Sequence, residues 1–290
     1  MTQQPDLKSK LTTWLSEQGY PLEMQVASAA RKHTNFDIRQ GWHYKDPESG
    51  SSREIDIVCT ASEPRGIAEI NFVIECKATK KPWILFSSDD AASSYHRLSS
   101  FGLFSTTARS AVAESLFPSS LDIKETDYDV AKAIPWLWKE GLIGYSLTQA
   151  FDGNKDIPYV ASLSTVKAAI WLLSNSLWQT AEYRSHAISF PIIVTSSPLF
   201  ECSIDGNGDP ILNEINHGHL FFKQHIDEFT ATCISIVNER HVEAFMKECQ
   251  KVSDYLYEAM QSSLKEDWSH FLRESDGHSP NNQVNKDASR

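Results

Sequence analysis

Cysteine and long apolar runs are both scarce in this sequence. The five cysteines are an odd number and form no Cys-x-x-Cys pair, which argues against a disulfide framework and against a cysteine-rich zinc site. We expect free, buried thiols in a reducing compartment. No stretch approaches the ~20 consecutive apolar residues that a membrane-spanning helix requires, and no basic-then-apolar signal peptide opens the chain. The sequence therefore predicts a cytoplasmic protein with no membrane contact.

Basic residues are also fewer than acidic ones. The chain has 27 Lys and Arg residues against 38 Asp and Glu residues, a net charge of −11. Residues 81–290 hold nearly all of the excess, because residues 1–80 carry ten basic and eleven acidic side chains. Such a chain does not coat nucleic acid through bulk electrostatics, although a local cleft with a bound cation is still compatible with this charge. We expect weak non-specific affinity, and hence a partner protein or a narrow substrate.

The apolar pattern predicts an α/β protein with a well-filled core, since 41% of the residues are apolar. Predicted helices are Leu7–Gln18, Leu22–His33, Thr107–Leu116, Ala131–Lys139, Ala161–Arg184, Glu239–Met260 and Lys265–Arg273. Predicted strands are Phe36–Tyr44, Arg53–Thr60, Ile70–Ala78, Trp83–Phe86, Ile188–Thr195, Leu199–Ile204, Ile211–Ile215 and Cys233–Val237.

Charged residues interrupt two of these strands, within Arg53–Lys81. Alternation along a strand predicts that Asp56 lies opposite Ile55 and Ile57, and that Glu75 and Lys77 share one face of the next strand. An unpaired charge in a buried strand is costly, so the acids and the lysine should converge, with a divalent cation offsetting the excess negative charge. The alternative is a salt-bridge cluster at a strand end.

The spacing of these residues resembles a known nuclease superfamily. Asp56, eighteen intervening residues and then Glu75-Cys76-Lys77 follow the pattern Asp…Glu-x-Lys. Upstream, Gly19-Tyr20-Pro21-Leu22-Glu23 opens a helix that carries an acid. This order of helix, strand, Asp strand and Glu-x-Lys strand, over about residues 5–87, is similar to that of the PD-(D/E)xK superfamily. The chain departs from the pattern at Ile55, where proline often precedes the aspartate.

The resemblance implies a restriction-endonuclease-like core, with a mixed central sheet flanked by helices. It implies Mg²⁺, with Mn²⁺ as an alternative, bound by Asp56, Glu75, Glu23 and the carbonyl of Cys76. Lys77 would orient or deprotonate the attacking water, so the expected catalytic residues are Asp56, Glu75, Lys77 and Glu23. Glu54 is a rival to Asp56 in the same strand.

The expected activity is that of a metal-dependent endonuclease acting on DNA, of a prokaryotic restriction or anti-phage kind. We expect Lys80, Lys81 and Arg53 to contact the phosphates. Two alternatives stay open: a nuclease of the same fold that cleaves RNA or transfer RNA, and a non-catalytic scaffold subunit that binds a protein partner. Association of two or more copies is also compatible with the sequence.

The predicted organisation is a nuclease-like unit over residues 1–238 with an insertion at about 88–160. A helical extension over 239–274 and a disordered tail over 275–290 follow. Two weaker motifs lie in the second half of the chain. The run Asp205-Gly206-Asn207-Gly208-Asp209 is rich in oxygen ligands but lacks the spacing of a calcium loop. His217, His219 and His225 offer transition-metal ligands without an acid or cysteine to complete a set.

Overall fold

The computed structural model describes residues 6–16, 18–46, 48–91, 100–116, 142–151, 156–175, 186–226 and 229–277. The helices in this part of the chain are α1 (Leu7–Ser16), α2 (Tyr20–His33), α3 (Thr106–Leu116), α4 (Ile157–Ser174) and α5 (Val242–Gly277). The strands are β1 (Asp37–Lys45), β2 (Ser52–Ser62), β3 (Ala68–Lys77), β4 (Trp83–Ser88), β5 (Leu103–Phe104), β6 (Ile143–Gln149), β7 (His186–Thr195), β8 (Leu199–Ile204), β9 (Pro210–Ile215), β10 (His217–Ile226) and β11 (Phe229–Asn238).

The strands form one mixed sheet in the order β1-β2-β3-β7-β11-β10-β6-β4-β8-β9, with β5 paired to β7. β1, β2 and β3 make an antiparallel meander. β7 then runs parallel to β3, and β11 runs parallel to β7. The predicted α/β class, with a large mixed sheet flanked by helices, is confirmed.

Both faces of the central strands are buried, which explains why β3 and β7 read as almost continuous apolar runs. On one face Ile70, Phe72, Ile74 and Cys76 of β3 pack with residues of α2, α3 and α5 in a first cluster. On the other face Val73 joins a second cluster that contains most of the buried residues of α4. The predicted apolar face of Ile70–Cys76 is therefore confirmed.

Helix α4 lies between β6 and β7 in the chain and packs on the two parallel strands β3 and β7. Asp156 caps its first turn by accepting a hydrogen bond from the Tyr159 backbone N–H at 3.1 Å. The helix packs against both β3 and β7, so the predicted crossover helix is confirmed as far as Ser174, while residues 176–185 lie outside the described residues. By length and composition α4 could cross a membrane, but 61% of it is buried in the fold, and core helices of soluble proteins pass the same test.

The structure differs from the predicted elements in three places. The sequence indicates no strand at His217–Ile226, where β10 pairs with β11. The two predicted C-terminal helices are one continuous helix, α5, which also includes residues 275–277 of the predicted tail. Within the predicted insertion, β5 and β6 are strands of the main sheet. The predicted helix Ala131–Lys139 and residues 278–290 lie outside the described residues.

Strict alternation along β2 is also wrong, and the break occurs at Asp56. Ile57 belongs to the first cluster, whereas Ile55 belongs to the second. Gly41 falls between the pairs Gln40↔Ile57 and Trp42↔Ile55, opposite Asp56, and it has a φ of 61°. A glycine in this left-handed conformation changes the twist of the strand locally. Two adjacent strands therefore change the face they bury at the position of the aspartate.

Candidate active site

Asp56, Glu75 and Lys77 meet where β2 and β3 separate. Backbone pairing of these strands extends to Ile57↔Ile74. Beyond that pair, the Asp56 carboxylate takes the place of a backbone partner, because its Oδ2 accepts a hydrogen bond from the Cys76 N–H at 2.7 Å. Lys77 Nζ forms an ion pair with Glu75 Oε1. The structure thus brings together the three residues that the Asp…Glu-x-Lys pattern singles out.

Crowded carboxylates dominate the electrostatics of this cluster. Glu75 is only 12% exposed, and desolvation together with the Asp56 charge raises its pKa to about 7. Desolvation also raises the pKa of Asp56, against the opposing effect of the Cys76 N–H bond. The pKa of Glu23, on α2, is raised by desolvation and then by the charges of Asp56 and Glu54. The charge of Glu23 is therefore coupled to those of the strand residues.

Lys77 is held in its protonated form. Burial lowers its pKa, but the charge and hydrogen bond of Glu75, and then the charge of Asp56, outweigh that effect and raise the pKa above its ordinary value. In this arrangement Lys77 is the partner of a carboxylate and cannot accept a proton. Any role as a base requires another cation to take over part of the carboxylate charge.

The backbone of Lys77 is fixed by Thr195, the last residue of β7, and by the residue after it. Because β7 runs parallel to β3 with Lys77 opposite Thr195, both the Thr195 hydroxyl and the Ser196 N–H donate to the Lys77 carbonyl, each at 3.2 Å. Thr79 hydrogen-bonds to Ser197 one step further along. Sequence reasoning missed Thr195, Ser196 and Ser197, since only the register of two distant strands places them beside Lys77.

The donor set suits a hard divalent cation, although the side chains are not already gathered around one. Carboxylate oxygens are the ligands that Mg²⁺ prefers. A cation would offset both the desolvation that chiefly raises the pKa values of Asp56, Glu75 and Glu23 and the neighbouring negative charges that add to it. In the part of the chain that the structure describes, no three His, Cys, Asp or Glu side chains form a ready metal cluster. The Cys76 thiol lies in the apolar core, so only its carbonyl is a candidate ligand.

The predicted phosphate contacts divide into two groups. Lys80 and Lys81 are exposed in the connection between β3 and β4, and Lys81 Nζ donates to the Phe151 carbonyl at 3.3 Å. Arg53 instead donates from Nε to Asp46 Oδ2 at 3.1 Å. That carboxylate also pairs with Lys167, so the structure places Arg53 in a separate ionic network. Glu54, the rival to Asp56, is exposed at the start of β2.

The two weaker motifs lie in other places. The rings of His217 and His219 are 4.5 Å apart, and His241 lies 6.1 Å from His217, but within the described residues these histidines belong to no metal-binding group. The side chain of His225 lies outside the described residues. Asp205 Oδ1 accepts hydrogen bonds from the N–H groups of Asn207 and Asp209, which makes the segment a self-contained turn between β8 and β9.

Comparison of this chain with protein-family models, with curated proteins and with solved structures finds no match.

Proposed function

We propose that this protein is a metal-dependent nuclease whose active site contains Asp56, Glu75 and Lys77. One observation carries the proposal: side chains from two neighbouring strands, matching the Asp…Glu-x-Lys pattern, come together with Asp56 bonded to the Cys76 N–H and Lys77 paired with Glu75. A salt bridge formed only for stability would not need a further carboxylate, Glu23, whose charge adds to desolvation and to the Asp56 charge in raising the pKa of Glu75.

The chain topology supports the same proposal. The chain forms α2, β1, β2 and β3 and, after β4, β5, α3 and β6, it forms α4 and β7. An antiparallel meander followed by a strand parallel to β3 is similar to the order that a restriction-endonuclease-like core with an insertion implies. The candidate residues lie at the carboxyl end of β3, where the Glu-x-Lys residues of that core would be expected. The topology argues for the fold, and the chemistry is argued from the site.

Each residue has a distinct role in this proposal. Asp56 and Glu75 would hold Mg²⁺ or Mn²⁺, with Glu23 and the Cys76 carbonyl as further oxygen donors. A bound cation supplies charge neutralisation at the phosphate and lowers the pKa of a bound water. Lys77, released from part of its pairing with Glu75, would orient the attacking water and stabilise charge that develops on the phosphate. Lys80 and Lys81 would hold a neighbouring phosphate.

The test is cleavage of plasmid DNA, linear DNA and single-stranded RNA in Mg²⁺ or Mn²⁺. We expect Asp56→Asn, Glu75→Gln and Lys77→Met each to lower the rate by about 100-fold or more, since each removes a group that acts on the metal or the water. The relative rates on DNA and RNA decide between the two nuclease alternatives.

Glu54→Gln is the matched control, because it removes one charge from the same strand without removing an expected ligand. It should keep most of the activity. Cleavage that survives in Asp56→Asn and Lys77→Met would contradict the site. A folded wild type that cleaves none of the substrates in either metal would favour the scaffold alternative.

A further inference from the structure

Phe151 is an aromatic side chain that the fold does not bury. It lies two residues after the end of β6, and the residue is 88% exposed, so it contributes little to the core. Its φ is 61°, in the left-handed region that an L-residue other than Asn, Asp or Gly rarely adopts. Such a conformation costs about 1–3 kcal/mol and is found most often at functional sites. Stability alone would favour glycine or asparagine at this position.

Two hydrogen bonds attach Phe151 and its neighbour Ala150 to the segment between β3 and β4, which follows the candidate active site. The Ala150 N–H donates to the Pro82 carbonyl at 2.8 Å, and Lys81 Nζ donates to the Phe151 carbonyl at 3.3 Å. Pro82 is five residues after Lys77, so the two lie no more than about 18 Å apart. The backbone that carries the exposed ring is therefore attached to the connection that holds Lys80 and Lys81, a few residues along the chain from Lys77.

An exposed aromatic ring next to lysines has the chemistry that binds single-stranded nucleic acid. A base stacks on the ring whatever its identity, and ammonium groups contact the phosphates on either side. Paired bases are already stacked on their neighbours and leave no face free for the ring. The overall negative charge of the protein makes such a local contact more necessary, because bulk electrostatics contribute nothing to binding.

We propose that Phe151 stacks on an unpaired base of the nucleic acid, so that the site takes single strands or single-stranded segments in preference to continuous duplex. This inference rests on the proposed nuclease function for its substrate. The ring binds and positions the substrate, and Lys80 and Lys81 contact the phosphates beside the stacked base.

The experiment measures binding of labelled oligonucleotides of about 16 residues by fluorescence anisotropy. The probes are single-stranded DNA, single-stranded RNA and a DNA duplex. Binding is measured in EDTA, which prevents metal-dependent cleavage, and again in Mg²⁺ with the Asp56→Asn chain. We expect the wild type to bind at least one single-stranded probe more tightly than the duplex. Phe151→Ala and Phe151→Leu should weaken that binding by about 5- to 100-fold, whereas Phe151→Tyr should retain it.

Trp14→Ala, which removes an exposed aromatic ring from α1, is the matched control and should leave binding unchanged. Melting temperatures of all variants separate misfolding from loss of the ring. Equal binding by wild type and Phe151→Leu, a preference for duplex, or no binding to any probe would overturn the inference.

The two proposals fail separately. Asp56-dependent cleavage that is unchanged in Phe151→Ala would remove the stacking role and leave the nuclease standing. Binding that depends on Phe151, without cleavage in any metal, would support the stacking role and contradict the nuclease proposal.

Discussion

Asp46 is a buried carboxylate whose contacts stabilise the fold. Its side chain is 1% exposed. It accepts hydrogen bonds from the N–H groups of Glu48 and Ser49, and it pairs with Arg53 and with the buried Lys167. The Ser49 N–H first, and then the Glu48 N–H and Lys167, lower the pKa of Asp46 to about 2 against the opposing effect of burial. Its role is to join the β1–β2 turn to α4, away from the candidate active site.

A dependence of stability on pH follows from that pKa. The folded value is below the ordinary 3.8, so the stabilisation is complete above about pH 4 and is lost as the pH falls towards 2. Asp46→Asn should lower the free energy of unfolding by about 1–3 kcal/mol at neutral pH, because it leaves Lys167 without its buried carboxylate. Urea unfolding at pH 7 and at pH 3 checks this.

The difference between wild type and Asp46→Asn should shrink at the lower pH. Asp205→Asn is a useful comparison, since Asp205 also accepts backbone hydrogen bonds but is only partly buried. An equal loss at both pH values would contradict the assignment.

Thr195 carries a second prediction at the residue scale. Its buried hydroxyl donates to the Lys77 carbonyl and accepts from the Ser197 N–H. Thr195→Val keeps the shape and removes both bonds, so we expect a loss of about 1–3 kcal/mol in stability and a lower rate of nucleic-acid cleavage. Thr195→Ser retains the hydroxyl and should keep both properties. Unfolding curves and cleavage assays on the same preparations measure the two effects.

An unchanged cleavage rate in Thr195→Val, together with normal activity in the wild type, would show that the Lys77 backbone needs no such support.

At the scale of elements, β6 and β10 approach each other through glycines. The two strands pair in parallel at Leu220↔Gly144. The Leu85 side chain of β4 lies directly over Gly144 and Gly218. A Cβ added at Gly144 would lie 2.2 Å from Leu85 Cδ1 and 3.0 Å from the His219 carbonyl oxygen. Leu85 is fully buried and has no open space to move into. The joint between the two halves of the sheet therefore requires glycine.

Gly144→Ala should consequently destabilise the protein by about 1–3 kcal/mol through overpacking. Leu85→Ala alone should cost about 2–5 kcal/mol, because it leaves a cavity. In the double variant the new methyl group occupies part of that cavity, so the loss should be less than the sum by more than about 0.5 kcal/mol. A double-mutant cycle in guanidinium chloride tests this coupling, and strict additivity would contradict it.

The predictions at this scale succeeded where apolar periodicity was unbroken. β3, β7 and α4 follow directly from runs such as Ile70–Ile74, because burial on both faces leaves no competing pattern. β10 was missed since His217, Gly218 and His219 obscure its apolar residues, although its pairing with β11 buries them. α5 was divided at Ser262 and Ser263, yet serine costs a helix only a few tenths of a kcal/mol.

For the candidate site, the charged residues were predictable and their supports were not. Asp56, Glu75 and Lys77 are identifiable because a charged side chain within an apolar strand is costly unless it is paired. Thr195 gives no such signal, since a threonine at the end of a strand is common. The change of buried face at Asp56 depends on Gly41 in the adjacent strand, which the sequence alone does not assign to a left-handed conformation.

At the scale of the whole molecule, α5 is an integral part of the core. Its buried residues in the first cluster are Val242, Phe245, Met246, Cys249, Val252, Leu256, Met260 and Leu264. Tyr257 donates to the Ala61 carbonyl at 2.7 Å, and Asp267 pairs with His186 at the start of β7. Each fully buried apolar side chain contributes about 1.5–3 kcal/mol, so together they contribute at least as much as the net stability of a typical protein, about 5–15 kcal/mol.

A chain that ends at Asn238 should therefore fail to fold. We expect it to be insoluble, or to bind hydrophobic dyes and unfold without a cooperative transition, because the sheet face beneath α5 becomes exposed. A chain that ends at Gly277 is the control and should unfold like the full chain, since the contacts named above precede that point. Circular dichroism and size-exclusion chromatography check both, and a soluble monomer ending at Asn238 would contradict the prediction.

The parallel pairing of β3 with β7 has a consequence for how the candidate active site is assembled. Asp56, Glu75 and Lys77 belong to one hairpin of neighbouring strands, and such local structure can form within microseconds. The Thr195 hydroxyl that holds Lys77 is 118 residues further along the chain, and joining segments so distant carries a large loop-closure entropy and slows folding. During synthesis the β2–β3 hairpin therefore leaves the ribosome long before Thr195 does. The candidate active site should accordingly be completed in the last stage of folding.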